Sequence, residues 1–259
     1  MLKQQRLNII QELLSQKEIV QVSDLTNILN VTEMTVRRDL KTLEDAGKLL
    51  RIHGGAKPVD NSFNKELSNI EKQEIMIEEK KYISKKIANL IKSGDTIFLG
   101  PSTTIENVYG YMEDFPTRII TNSIHVFNKF NNSNKYDLIL IGGSYRYRTG
   151  AFVGSIANQA LSKMRISKAF IGTNGISRNE IYTANEEEGT TQEIVLNNAR
   201  EKYIVADSSK IDKEDFYKFY NLDEITALIT DEKITDKEKK TLKNILELFA
   251  NLTVSLQPL

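Results

Sequence analysis

Cysteine and tryptophan are both missing from the 259 residues, histidine occurs twice and proline four times. Without cysteine there is no disulfide framework, thiolate nucleophile or Cys-ligated zinc, and His53 and His125 alone make no histidine-rich metal site, so neither metal nor cofactor is expected. Neither charge sign dominates, with 35 Lys+Arg against 35 Asp+Glu, and the chain as a whole carries no bias toward a polyanion. No apolar run approaches the roughly 18 residues that a membrane span requires. Met1–Leu14 is amphipathic and lacks the unbroken apolar stretch of a signal peptide. These absences favour a cytoplasmic globular protein of one large domain or two, with no membrane partner.

What is present is unevenly placed. Met1–Lys57 holds nine Lys+Arg against seven Asp+Glu, and the remainder 26 against 28. Clustering matters more than that small excess, because binding to phosphates depends on potential within about a Debye length. Leu7, Ile10 and Leu14 recur at helical spacing; Leu25, Ile28 and Leu29 mark a second helix with Ser23 as its N-cap, and Asn30–Val31 form a turn. Thr32 caps a third helix whose apolar stripe is Val36, Leu40 and Leu43 and whose terminator is Gly47. The other side of that helix carries Met34, Thr35, Arg37, Arg38, Lys41 and Thr42, cations and hydroxyls together, which suits an anionic partner. Leu49, Leu50 and Ile52 predict a short strand, His53-Gly54-Gly55 a tight turn, and Ala56–Pro58 the returning strand. Three helices and a hairpin make an N-terminal winged helix-turn-helix, helical with a small β wing, over residues 1–57. The polar, aperiodic residues 58–69 are the expected linker.

From about Ile70 onward, apolar runs alternate with amphipathic helical ones: Thr96–Leu99, Arg118–Thr121, Leu138–Ile141, Ala169–Ile171, Tyr203–Ala206 and Ala227–Thr230 as strands, with helices over Ile77–Ile91, Ile124–Phe130, Glu186–Ala199 and Asp236–Leu248. This alternation predicts a C-terminal α/β domain over 70–259 with a mainly parallel sheet, large enough to bury its own core.

The run Val31-Thr32-Glu33-Met34-Thr35-Val36-Arg37-Arg38-Asp39-Leu40, followed by Leu43-Glu44, Gly47 and Arg51-Ile52-His53-Gly54-Gly55-Ala56, closely resembles the N-terminal signature of DeoR-family transcriptional repressors. Ser102-Thr103-Thr104, Thr121-Asn122-Ser123, Gly142-Gly143, Thr183 with Glu187-Glu188, and Asp207-Ser208-Ser209-Lys210 are similar to that family's effector domain, so the likeness spans nearly the whole chain. It implies a sugar-phosphate-isomerase-like fold for the α/β domain and a phosphorylated sugar as effector. In one place the chain departs from the pattern. Where the family commonly reads Leu-Asp-Ala-Gly-Thr-Thr, this chain reads Leu99-Gly100-Pro101-Ser102-Thr103-Thr104, without the carboxylate. That variant resembles the family's lactose phosphotransferase-system subgroup, which implies tagatose 6-phosphate as inducer and a role in lactose catabolism.

A recognition helix enters the major groove with its N-terminal residues at base edges, where Arg bonds guanine and Thr touches the thymine methyl. The DNA-binding candidates are therefore Thr32, Glu33, Thr35, Arg37, Arg38 and Lys41 on the helix, with Arg51, His53 and Gly54 on the wing. A charge run by itself is an ordinary solvated face; the agreement of cap, stripe, terminator and hairpin is what favours DNA. His53 is either a pH-sensitive contact or, more plainly, part of a glycine turn close to the DNA backbone.

In an open α/β sheet, ligands sit beyond the carboxyl ends of the strands. The effector-binding candidates follow strand ends: Ser102, Thr103 and Thr104, which lead into an expected helix whose N-terminus attracts phosphate; Thr121, Asn122 and Ser123; Gly142 and Gly143; Gly172 and Asn174. Arg146 and Lys210 are candidate anion contacts, and Lys210 suits a phosphate as a point charge. The resemblance adds Glu187 and Glu188 as acceptors for sugar hydroxyls; both, like Glu186, also suit a helix N-terminus.

Together these residues point to a repressor that binds double-stranded operator DNA as a homo-oligomer, dimer or tetramer, and is released by a phosphorylated sugar. Two alternatives remain open here: an activator of the same family, or an isomerase-like enzyme with an attached DNA-binding module. Related catalysts carry a Gly-x-Gly-x-Asp-Gly-His-like stretch, whereas Gly172-Thr173-Asn174-Gly175-Ile176 offers a neutral amide and no histidine, which disfavours proton transfer.

Overall fold

In the computed structural model the chain divides into two compact units, residues 1–65 and 66–259. The structure describes residues 3–16, 19–46, 48–52, 54–58 and 66–249. The first unit contains α1 (Lys3–Gln16), β1 (Val20–Gln21), α2 (Val22–Leu29), α3 (Glu33–Asp45), β2 (Leu49–Ile52) and β3 (Gly55–Pro58). The helical stripes meet in one core of Leu7, Ile10, Leu14, Leu25, Leu29, Val36, Leu40 and Leu43, closed by Leu49 and Ala56 from the antiparallel wing. Strand β1 pairs with β3 on the side away from β2.

Two sequence expectations fail here. Ser23 is not the cap of α2: pairing of β1 with β3 brings the helix start forward to Val22, whose N–H donates to the Gly54 carbonyl at 2.9 Å, and Gln21 occupies the N-cap without a side-chain bond. Ile28, expected on the apolar stripe, is half exposed, because Val22, Leu25 and Leu29 form the buried face. Gly47 and His53 lie outside the described residues.

The second unit is built on a six-stranded parallel sheet in the order β14-β12-β9-β4-β5-β6. The strands are β4 (Thr96–Leu99), β5 (Thr117–Thr121), β6 (Tyr136–Leu140), β9 (Ile166–Gly172), β12 (Ala199–Val205) and β14 (Ala227–Ile229). Alternate side chains go to opposite faces, as strand geometry requires. Phe98, Ala169, Ile171 and Ile204 face one core, with Ala157 and Leu161 of α7 (Ser155–Leu161) and Val195 and Leu196 of α8 (Glu186–Asn198). Ile97, Leu99, Phe170 and Val205 face the other, with Ile83 and Ile87 of α5 (Ile77–Leu90) and Val126 and Phe130 of α6 (Ile124–Phe130). Burial on both faces explains why these strands read as continuous apolar runs.

The helix expected after Thr104 is instead a 3₁₀ helix, Ile105–Tyr111. Several elements carried no legible period: the hairpin β7 (Ser144–Arg146) with β8 (Ala151–Val153), the antiparallel sheet β10-β11-β13 (Gly175–Ser177, Glu180–Thr183, Tyr217–Asn221), and the five-residue α4 (Asn69–Gln73). The remaining helix, α9, spans Asp236–Phe249. In the stretch 58–69, Pro58 belongs to β3, residues 59–65 lie outside the described residues, and Glu66–Asn69 fold onto the second unit, where Asn69 Nδ2 donates to Glu106 Oε1 at 2.6 Å. Among the described residues no helix is long and apolar enough to cross a membrane.

Candidate functional sites

On α3, Thr32 Oγ1 accepts from the Thr35 N–H and lies 3.0 Å from Thr35 Oγ1, so the cap fixes the first turn. One turn on, Arg37 Nε donates to Glu33 Oε1 at 2.9 Å; both side chains are more than half exposed. Arg38, Lys41 and Met34 are also exposed. Asp39 points the other way: it is 1% exposed and accepts from Arg6 Nε of α1 at 2.6 Å, and this bond raises the Arg6 guanidinium above its ordinary pKa. The helix thus presents Glu33, Arg37, Arg38 and Lys41 outward while Asp39 anchors it.

On the wing, Arg51 lies 3.7 Å from Glu44, Lys57 is exposed, and Gly54 adopts a left-handed φ of 78°. At Gly55 a Cβ would stand 2.3 Å from the Val20 carbonyl oxygen, so glycine is what lets β1 and β3 approach.

In the second unit a pocket of about 80 Å³ opens beyond the carboxyl ends of β4, β9 and β12. After β4 the chain steps to β5 and β6, then crosses back to β9 on the other side of β4 before continuing to β12 and β14. The connections diverge between β4 and β9, the topological switch point at which open α/β sheets form a ligand crevice. Gly172 allows the two strand ends to approach, since a Cβ there would lie 2.7 Å from the Ser102 Cβ.

Of the residues expected to meet an effector, Ser102, Thr103, Thr104, Gly172, Asn174, Glu188 and Lys210 line this pocket. The others do not. Thr121 donates to the Leu99 carbonyl at 2.7 Å, Asn122 Nδ2 to the Phe152 carbonyl at 2.9 Å, and Ser123 caps α6. Thr121 ends β5 and the other two follow it, one strand beyond the switch point. Gly142 stands in open space and Gly143 packs under the Val153 carbonyl. Glu187 is exposed, and Arg146 sits one layer behind the wall, donating to Glu188 Oε1 at 3.0 Å. Gly100 lies against β9, with a Cβ position 3.2 Å from the Phe170 oxygen.

Sequence reading missed two pocket cations, Lys72 of α4 and Lys80 of α5. Both fall in a Lys/Glu-rich stretch that reads as a solvated face. Lys80 is turned inward because Ser84 Oγ, on the same helix, is fully buried and donates to the Thr104 carbonyl at 2.6 Å. Burial pushes the Lys80 ammonium below its ordinary pKa, against the pull of Asp207 and with the repulsion of Lys210. Burial lowers Lys210 as well, with Asp207 opposing and Lys72 reinforcing. The Lys210 backbone N–H donates to the Asp207 carbonyl at 3.0 Å, while its ammonium makes no hydrogen bond or ion pair among the described residues. Three ammonium groups therefore converge near the Ser102–Thr104 hydroxyls. Facing them, Glu188 is pushed above the usual carboxyl range by burial, opposed by Thr149 and Arg146, and Gln192 Oε1 is buried with no hydrogen-bond partner. One end suits an anion and the other the hydroxyls of a polyol. No group of three or more His, Asp and Glu among the described residues is placed to hold a metal.

Residues 6–62 match the DeoR-like helix-turn-helix domain and residues 75–232 the DeoR C-terminal sensor domain. The chain is 44% identical over 245 residues to the lactose phosphotransferase system repressor of Streptococcus mutans, covering 94% of this chain and 98% of that protein. It is 42% identical over 240 residues to the protein of that name from Staphylococcus epidermidis, covering 92% and 96%. Among solved structures, the full-length sorbitol operon regulator SorC from Klebsiella pneumoniae aligns over 91% of this chain and 97% of its own at 10% identity and a TM-score of 0.37. Ribose 5-phosphate isomerase A from Methanocaldococcus jannaschii aligns over 51% and 53% at 18% identity and a TM-score of 0.38. With both domain families matched in order and full-length relatives above 40% identity, the chain belongs to the DeoR family.

Proposed function

We propose that the chain is a transcriptional repressor of a sugar-utilisation operon, holding operator DNA through α3 and the wing and leaving it when a phosphorylated sugar fills the pocket at the β4/β9 switch point. The observation that carries this reading is the convergence of Lys72, Lys80 and Lys210 on Ser102–Thr104, opposite Glu188 and Gln192. An ammonium buried without an ion pair is costly in the empty protein and favourable beside a dianion. The relatives are named lactose phosphotransferase system repressors, and the Leu99-Gly100-Pro101 variant resembles that subgroup, which supports tagatose 6-phosphate as the effector. Acting on the chromosome places the protein in the cytoplasm. Reading two half-sites calls for a homo-oligomer, dimer or tetramer.

A thermal-shift screen across phosphorylated and unphosphorylated hexoses tests the ligand class. A ligand at 100 times its Kd adds about 2.7 kcal/mol of stability. Tagatose 6-phosphate is expected to raise the melting midpoint while tagatose does not; equal shifts from both would contradict a phosphate-selective pocket.

A further inference from the structure

Glu66, the first residue of the second unit, is one guanidinium away from the pocket wall. Its carboxylate, 7% exposed, accepts from Arg146 Nη2 at 2.6 Å, while Arg146 Nη1 donates at 3.0 Å to Glu188 Oε1 in the pocket lining. A planar, rigid guanidinium can satisfy two carboxylates at its two ends only while they keep one spacing. The second Glu66 oxygen is buried with no hydrogen bond and lies 3.7 Å from the Lys72 ammonium, which instead donates to Asn174 Oδ1 at 3.3 Å. The backbone repeats the attachment: Arg148 donates to the Glu66 carbonyl, and the Asn69 N–H donates to the Arg148 carbonyl at 2.9 Å.

The segment entering the second unit is therefore fastened to the same groups that a ligand would engage. A phosphate drawn to Lys72 competes with Glu66 for that charge, and a hydroxyl donating to Glu188 competes with Arg146. Both loosen Glu66 without touching it. A ligand shifts an equilibrium only through contacts that differ between the two states, and these contacts differ.

Resting on the repressor reading above, we propose that Arg146 is the positioning residue that reports pocket occupancy to the interdomain segment, by dividing its guanidinium between Glu188 and Glu66. Arg146 is then neither a ligand contact nor a DNA contact.

The test measures binding of the full chain to a fluorescent fragment of its own promoter, with and without tagatose 6-phosphate, for wild type, Arg146→Ala, Arg146→Lys and Glu66→Gln. The expected result is operator affinity within threefold of wild type in the absence of sugar, but a ligand-induced weakening at least tenfold smaller in each variant. A Glu66→Gln/Arg146→Ala double variant should lose no more than either single one. Amide exchange at Asn69 supplies a second readout: the sugar phosphate accelerates it in wild type, and Arg146→Ala is fast throughout. Wild-type release matched by release of Arg146→Ala overturns the Arg146 relay alone. No release of wild type overturns the regulatory reading and the relay with it.

Discussion

Arg6 Nε stands 2.6 Å from Asp39 Oδ2, joining α1 to the buried side of α3. The three charges Arg37-Arg38-Asp39 therefore split, two facing out and one facing in. Asp39→Ala is expected to lower the melting midpoint of the first unit, because Arg6 would lose its carboxylate partner. Arg38→Ala is expected to leave the midpoint unchanged and weaken operator binding by about 1–3 kcal/mol. Calorimetry and a gel-shift titration of the two variants check the pair; reversed effects would turn the helix around.

Lys41 lies farther along the exposed face, where a phosphate contact is expected. Lys41→Ala should weaken all duplexes alike and reduce the slope of log K against log salt by about one. Titrations of operator and scrambled duplexes at four salt concentrations measure both quantities. A selective loss on operator alone would make Lys41 a base reader.

Lys210 carries the clearest trade-off between stability and binding. Lys210→Met removes a half-buried cation that has no ion pair among the described residues, so the ligand-free protein should melt no lower than wild type. Its affinity for the sugar phosphate should fall at least tenfold, about 1.4 kcal/mol. Calorimetric titration alongside thermal melts decides; undiminished affinity removes Lys210 from the anion site.

Glu188 gives a pH signature. Its folded-state pKa is raised above the ordinary 4.5, chiefly by burial. The folded state then holds a proton that the unfolded chain releases, so the stabilisation is fully present below 4.5 and lost as pH rises through the folded value. Denaturant melts of the ligand-free protein from pH 4 to pH 7 should show stability falling more, or rising less, in wild type than in Glu188→Gln. Parallel profiles would contradict the shift.

Gly172 tests the switch-point geometry itself. Gly172→Ala places a methyl group 2.7 Å from the Ser102 Cβ, and the overpacking should cost about 1–3 kcal/mol while displacing the hydroxyl loop from the pocket. Both stability and sugar-phosphate affinity are expected to fall. A neutral variant would show that the loop yields freely.

Sheet and helices were legible because the strands are buried on both faces and read as apolar runs, while Thr32 and the Val36-Leu40-Leu43 stripe mark α3 by cap and period. The Ser102–Thr104, Gly172–Asn174 and Lys210 segments were legible as strand ends, yet Thr121–Ser123 follow a strand just as clearly and miss the pocket. Periodicity marks where strands end and does not order them in the sheet, so the switch point stayed hidden. Lys72 and Lys80 were lost for a related reason: both sit among glutamates and lysines that read as a solvated face, and for Lys80 it is a tertiary contact, Ser84 to the Thr104 carbonyl, that marks its side of the helix as inward.

The most direct measurement of ligand-controlled DNA binding is a titration of the full chain against its own promoter fragment at several salt concentrations, repeated at one of them with tagatose 6-phosphate. The expected result is salt-sensitive affinity, higher than for a scrambled duplex, which the sugar phosphate weakens and the unphosphorylated sugar leaves alone. Affinity for the promoter no higher than for the scrambled duplex would contradict it.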